Sequence, residues 1–146
     1  MQNALCDTSV FLPLWTSLPT PEQEIFSNQF FQKGIDCVYF LNVCEATRSE
    51  IINKYAFLHE NYLGKLKEFA DLKKLIEFEN PSEQDKKETL NLLRKARNSG
   101  YQLSFVDSLL LYTAKKKKLL LLSWDNALVE FAQQEGVDAR TPSDLE

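Results

Sequence analysis

Histidine, cysteine and glycine are scarce in this chain of 146 residues, with one, three and four copies. The cysteines, Cys6, Cys37 and Cys44, are odd in number and lack the C-x-x-C spacing of a zinc site. We therefore expect free thiols in a reducing cytosol rather than a zinc site or a disulfide framework. The single histidine, His59, has no Ser, Cys or Asp partner recognisable in the sequence, so we do not expect it to be catalytic.

Long apolar runs and glycine-rich loops are also absent. No apolar run approaches the ~20 residues that a helix needs to cross a bilayer. The first residues, MQNALCDTS, lack the positive segment and the apolar segment of a secretory signal. These absences predict a cytoplasmic protein with no membrane contact. Neither G-x-x-x-x-G-K-[ST] nor G-x-G-x-x-G occurs, which argues against an enzyme with a nucleotide cofactor.

The bulk composition predicts one globular domain over residues 1–146, because 44% of the residues are hydrophobic and 26% are charged. The formal net charge is −4 and the isoelectric point is about 5.1. A protein that holds nucleic acid by its overall charge is usually basic. Any nucleic acid bound here must therefore meet a local patch or metal ions.

Short apolar runs alternate with helical patterns along the chain. The runs predict strands at 4–6, 37–41, 119–122 and 137–139. The patterns predict helices at 20–34, 51–62, 66–76, 82–100, 104–117 and 125–135, with capping boxes at Ser82–Asp85 and Ser104–Asp107. This alternation predicts an α/β fold with a central, mostly parallel β-sheet flanked by helices.

Four lysines and four leucines follow one another at 115–122. We interpret Lys115–Lys118 as the last turn of a helix, where cations complement the negative end of the macrodipole. A nucleic-acid tract or phosphate contact is the alternative. Leu119–Leu122 has the continuous apolar character of a strand buried on both faces of a parallel sheet.

Four acids are predicted at or near one edge of this sheet. Asp7 follows the first strand, Glu45 lies shortly after the second, and Asp125 follows the leucine strand. Asp107 lies in the first turn of the helix that leads into that strand. Ligands of open α/β sheets bind beyond the carboxyl ends of the strands.

Each acid also has a purely structural interpretation. Asp107 completes a capping box, Asp125 is a candidate N-cap, Asp7 can begin an Asx-turn and Glu45 can be a first-turn helix acid. Four carboxylates that converge would, however, repel one another, and a divalent cation removes that cost. Oxygen ligands alone favour Mg²⁺ or Mn²⁺.

Several segments together resemble the PIN domain family, and most closely its small ribonuclease toxins from type II toxin–antitoxin systems. These segments are LCDTSVFL, the isolated Glu45, SFVDSLLLYTAKKKKLLLLSWDNAL and GVDARTPSDL. The resemblance implies that Asp7, Glu45, Asp107 and Asp125 surround one or two Mg²⁺ or Mn²⁺ ions. It implies a metal-dependent endoribonuclease that cleaves RNA phosphodiesters with a metal-activated water. It further implies a cognate antitoxin and a homodimer.

The resemblance also assigns supporting positions and shows one departure. Ser9 matches a small polar position that supports the first acid, and Asn126 is a neutral neighbour of the last one. Many members carry a further Asp at the position of Ala127. A non-catalytic PIN-like module that acts through protein contacts is therefore the alternative function. Receiver domains and haloacid-dehalogenase-type phosphatases do not fit, because the acidic pair and D-x-D-x-T that they need are missing after the first strand.

Overall fold

Five short strands form one parallel sheet in the order β3-β2-β1-β4-β5. The structure is a computed structural model that describes residues 2–7, 39–43, 75–77 and 81–144, with the backbone alone at 2, 39–43 and 75–77. The strands are β1 (Gln2–Cys6), β2 (Tyr39–Val43), β3 (Leu75–Glu77), β4 (Leu120–Leu122) and β5 (Ala139–Arg140). The predicted α/β fold with a parallel sheet is confirmed.

The strand order reverses beside β1. From β1 the sheet extends to β2 and β3 on one side and to β4 and β5 on the other. Cys6 pairs with Leu122, so β1 and β4 end at the same level. The carboxyl ends of these two strands thus border the crevice where open α/β sheets bind ligands.

Three helices follow in the second half of the chain: α1 (Glu83–Asn98), α2 (Phe105–Lys117) and α3 (Asn126–Gln134). Both predicted capping boxes are present, and Ser82 and Ser104 accept from the N3 amides of α1 and α2. Gly100, at φ +89°, ends α1 in the left-handed conformation that favours glycine. A single 3₁₀ turn, Pro142–Asp144, follows β5.

The centre of the sheet is closed to water. Leu120, Leu121 and Leu122 are at most 1% exposed, which confirms the prediction of a strand buried on both faces. Leu110 of α2 and Phe131 of α3 belong to the same apolar core. The helices of the second half of the chain therefore hold β4 in place.

The predicted helix at 66–76 is wrong at its end, because Leu75 and Ile76 lie in β3. Ile76 pairs in parallel with Asn42 of β2. The open edge of β2 offers backbone donors and acceptors that a strand satisfies, and this pairing overrides the helical spacing of the side chains. The strand predicted at 37–41 is observed at 39–43, and the one at 137–139 is observed at 139–140. The helices predicted at 20–34 and 51–62 lie outside the described residues.

The lysine run ends α2 as predicted. Lys115, Lys116 and Lys117 form its last turn, and Lys118 is the C-cap at φ 55°. Because β4 starts two residues later, these lysines lie at the amino ends of the strands, opposite the crevice. They are therefore not placed to contact a phosphate at the predicted acidic site. No helix in the described part of the chain is long and apolar enough to cross a membrane.

Candidate functional site at the carboxyl ends of the strands

Asp7 is held at the end of β1 by two contacts to the segment that ends β4. Its amide donates to the Leu122 carbonyl at 2.9 Å, which extends the parallel ladder by one residue. Its Oδ2 accepts a 2.7 Å hydrogen bond from the Ser123 hydroxyl. Asp7 is 7% exposed and Ser123 is fully buried. The first predicted acid is therefore oriented within the crevice rather than in solvent.

Asp125 is connected to the same hydroxyl. The Asp125 amide donates to Ser123 Oγ at 2.9 Å. Its Oδ1 accepts from the amides of Ala127 and Leu128, at 3.0 and 3.4 Å, so Asp125 is the N-cap of α3. The structural interpretation of Asp125 is thus confirmed. The cap engages Oδ1 and leaves the acid exposed at the edge where Asp7 lies.

Asp107 is the third residue of α2 and completes its capping box. Its Oδ2 accepts from the Ser104 amide at 3.1 Å, and its amide donates to Ser104 Oγ at 3.1 Å. Since α2 ends where β4 begins, its first turn lies toward the carboxyl ends of the strands. Asp107 is half-buried there. Asp7 and Asp125 thus follow adjacent strands, and Asp107 lies in the first turn of the helix that precedes β4.

The fourth predicted acid, Glu45, lies outside the described residues, as does Ser9. In sequence, Glu45 follows the last residue of β2, Val43, by two positions. Among the residues that the structure describes, no group of three or more His, Cys, Asp or Glu side chains is arranged to hold a metal ion. The predicted four-acid set therefore remains a prediction.

The chemistry of the described donors fits a hard cation. Asp7, Asp107 and Asp125 offer carboxylate oxygens, which Mg²⁺ and Mn²⁺ prefer. Cys6 adjoins Asp7 but is fully buried. Burial, and secondly the charge of Asp7, raise the pKa of the Cys6 thiol. The thiol therefore stays protonated and does not add a soft ligand to the site.

The sequence reasoning missed Ser123. A hydroxyl directly after a buried strand, on the strand that neighbours β1, is the signal that could have revealed it. Asn126 is the first residue of α3 and is exposed. Its predicted supporting role stays a prediction.

Comparison with known proteins identifies the fold. No curated protein is significantly similar to the chain in sequence. Among solved structures, Rickettsia felis VapBC2 bound to a promoter DNA fragment matches with a TM-score of 0.72 at 10% identity, covering 96% of this chain and 98% of that one. DNA-bound VapBC from Salmonella typhimurium matches with a TM-score of 0.68 at 15% identity, covering 97% and 99%.

A toxin–antitoxin complex from Klebsiella pneumoniae matches with a TM-score of 0.64 at 21% identity, covering 97% of this chain and 99% of that one. These identities show a shared fold. The family model of the PIN domain matches residues 4–134, which is most of the chain. The chain therefore belongs to the PIN domain family.

Proposed function

We propose that the chain is a metal-dependent endoribonuclease whose site comprises Asp7, Glu45, Asp107 and Asp125. The observation that supports this most is the hydroxyl of Ser123, which contacts both the Asp7 carboxylate and the Asp125 amide. If Asp125 served only as a helix cap, contacts between Asp125 and the first turn of α3 would be sufficient. A ligand site also needs the buried Asp7 carboxylate to be held in a fixed orientation, which Ser123 provides.

The roles of the side chains follow from their places. Asp7, Asp107, Asp125 and Glu45 would hold one or two Mg²⁺ or Mn²⁺ ions. Such an ion supplies an activated water and offsets negative charge on a phosphodiester. Ser123 fixes the direction of Asp7 Oδ2, and the two amides at the start of α3 fix Asp125 Oδ1. Asp7 and Asp125 would thus hold a cation with one carboxylate oxygen of each already fixed, which keeps the loss of side-chain entropy small.

The same proposal extends to the biological setting. The solved structures with this fold include toxin–antitoxin complexes. We infer that the chain is a single nuclease domain over residues 1–146, that it acts as the toxin of such a pair, that an antitoxin protein binds it, and that it forms a homodimer. If so, expression of the chain alone should arrest growth, and co-expression of the product of an adjacent short gene should restore it. Unimpaired growth with an active nuclease would refute the toxin role and leave the nuclease proposal intact.

RNA cleavage by the purified chain tests the proposal. We expect cleavage with Mn²⁺ or Mg²⁺, none with EDTA, and loss of at least about 100-fold in Asp7→Asn and Asp107→Asn, since each removes a metal ligand. Asp138→Asn is the matched control. Asp138 is exposed and precedes β5, so it lies at the amino ends of the strands, away from the predicted acids.

Two results would contradict the nuclease proposal. Equal cleavage by the wild type and both variants would indicate a contaminating nuclease. A folded wild type with no cleavage under any metal would favour the non-catalytic interaction module.

A further inference from the structure

A cavity lies beside the predicted site, between the end of α1 and the start of α2. It has a volume of about 610 Å³, within the range of about 300–1,000 Å³ that is typical of ligand pockets. The described residues that line it are Arg97, Gly100, Tyr101, Gln102, Leu103 and Ser104. Asp7, Asp107 and Asp125 are not among these described lining residues.

One residue nevertheless joins the cavity to the acids. Ser104 lines the cavity and exchanges two 3.1 Å hydrogen bonds with Asp107. A molecule in the cavity would therefore lie next to the first turn of α2, where Asp107 is placed. A subsite for the part of a substrate next to the cleaved bond requires such a position.

The charge of the cavity fits an anion. Arg97 is exposed, and the described lining residues include no carboxylate, although Glu130 accepts a hydrogen bond from the Tyr101 hydroxyl at the wall. A guanidinium group presents a planar fork of donors that matches phosphate oxygens. A local cation of this kind is what an acidic nuclease needs to hold a polyanion.

Two further exposed side chains fit a nucleotide base, one that lines the cavity and one next to a lining residue in sequence. Gln102 is exposed and carries an amide that both donates and accepts hydrogen bonds. Phe105 is not among the lining residues, but it directly follows Ser104, which is, and 38% of this large apolar side chain is exposed. Exposed aromatic rings serve as stacking platforms for unpaired bases. Apart from Leu90, Phe105 is the one large hydrophobic side chain exposed in the described part of the chain.

The wall of the cavity is already formed. Tyr101 Oη accepts a 2.7 Å hydrogen bond from Gln134 Nε2, and its ring lies 5.3 Å from that of Phe131, centroid to centroid. Leu103 is 3% exposed and belongs to the core. The loop between α1 and α2 is thus anchored on α3, so that binding need not first order it.

We propose that this cavity binds an unpaired nucleotide of single-stranded RNA that flanks the cleaved phosphodiester. Arg97 contacts a phosphate, Gln102 the edge of the base, and Phe105 its face. The proposal rests on the proposed nuclease function, because it names how that site holds its substrate. An acidic peptide would also satisfy Arg97, but it would make no use of the exposed ring of Phe105.

Fluorescence anisotropy with a labelled single-stranded RNA of about ten nucleotides tests the proposal. Ca²⁺ replaces Mg²⁺ so that binding is measured without turnover. We expect Arg97→Ala to weaken binding about tenfold and to reduce the slope of log Kd against log salt by about 0.7, the value for one phosphate contact on a single strand. Phe105→Leu should weaken binding about fivefold, and Phe105→Tyr should restore it, since tyrosine keeps the stacking face.

Arg94→Ala is the charge-matched control. Arg94 is exposed on α1, about one turn before Arg97, and does not line the cavity. We expect its RNA affinity to stay within about twofold of the wild type. Thermal unfolding of all four variants should match the wild type, because the substituted side chains are exposed.

Three results would overturn the proposal, and they are distinguishable. If the wild type binds and cleaves RNA and the RNA affinities of Arg97→Ala and Phe105→Leu are unchanged, the cavity is not a nucleotide site but the nuclease function stands. If the wild type neither binds nor cleaves RNA, both proposals are wrong. Binding of a glutamate-rich peptide that Arg97→Ala abolishes, with RNA binding unaffected, would assign the cavity to a protein partner instead.

Discussion

The hydroxyl of Ser123 lies 2.7 Å from Asp7 Oδ2 and 2.9 Å from the amide of Asp125. It thereby joins the ends of β1 and β4, although 116 positions separate Ser123 from Asp7. The hydroxyl donates to one acid and accepts from the backbone of the other, so both of its roles are used at once. The geometry of two predicted ligands thus depends on one buried side chain.

Substitution of this side chain should therefore affect stability and metal binding together. We expect Ser123→Ala to lower the free energy of unfolding by about 1–3 kcal/mol, because it removes one hydrogen bond to a buried carboxylate oxygen and one from a backbone amide. Mn²⁺ affinity should fall about tenfold, as is usual when a group that orients a metal ligand is removed. Urea unfolding and calorimetry measure the two effects.

Ser99→Ala is the control for this substitution, since Ser99 is an exposed residue at the end of α1. It should change stability by less than about 0.5 kcal/mol. If Ser123→Ala were as stable as Ser99→Ala, the hydrogen bond from Ser123 to Asp7 would not contribute to the free energy of unfolding.

A second prediction concerns the carboxylate of Glu135, whose side chain is 7% exposed. Lys95 Nζ lies 2.8 Å from it and Lys115 Nζ 3.7 Å. Glu135 is the C-cap of α3, where the helix dipole disfavours a negative charge. Lys95→Ala should destabilise the fold by about 1–2 kcal/mol, more than a surface ion pair would, because it leaves a nearly buried charge with one distant partner.

Chemical denaturation of Lys95→Ala beside Lys87→Ala measures this effect. Lys87 is an exposed lysine of the same helix, about two turns before Lys95. Equal stabilities of the two variants would show that Glu135 is satisfied without Lys95.

The third prediction concerns pH and the carboxylate of Asp85, which connects α1 to α2. It accepts from the Tyr112 hydroxyl at 3.0 Å and from Lys116 Nζ at 2.9 Å. The hydrogen bond with the Ser82 amide, followed by those with Lys116 and Tyr112, lowers the pKa of Asp85. Its stabilising effect is therefore complete above the pKa of an unfolded aspartate, about 3.9, and is lost as the pH falls through the lower folded value.

Asp85→Asn should consequently be less stable than the wild type at neutral pH, and the difference should narrow as the pH falls below about 4. Thermal unfolding between neutral and acidic pH measures it. Glu83 is an exposed acid of the same turn, and Glu83→Gln should differ less from the wild type in unfolding temperature. If the difference in unfolding temperature between Asp85→Asn and the wild type stays constant down to the lowest pH, the stabilising role of the ionised Asp85 is contradicted.

The sequence predicted the second half of the fold well because its signals are local. Two capping boxes, the lysines at the end of α2 and the leucines of β4 each occupy a few consecutive residues. Their structural preferences agree with the surrounding fold. The order of the predicted acids, with Asp7 after β1 and Asp125 after β4, could likewise be inferred from parallel topology.

The misses have a shared physical cause. Ile76 continues the helical spacing of Leu66, Phe69 and Leu72, but the edge of β2 imposes a strand on Leu75 and Ile76. Ser123 contacts Asp7 only because β1 and β4 are neighbours in the sheet. Such contacts depend on strand order, and a single sequence does not determine strand order by local preference.

Mn²⁺ titration by calorimetry tests the central claim most directly, with wild type, the single variants Asp7→Asn, Glu45→Gln, Asp107→Asn and Asp125→Asn, and Asp138→Asn as control. If the four acids form one site, the wild type and the control bind Mn²⁺ alike, and each of the four variants binds at least about tenfold more weakly. Equal affinity in the wild type and all four variants would contradict the claim that these acids share a metal.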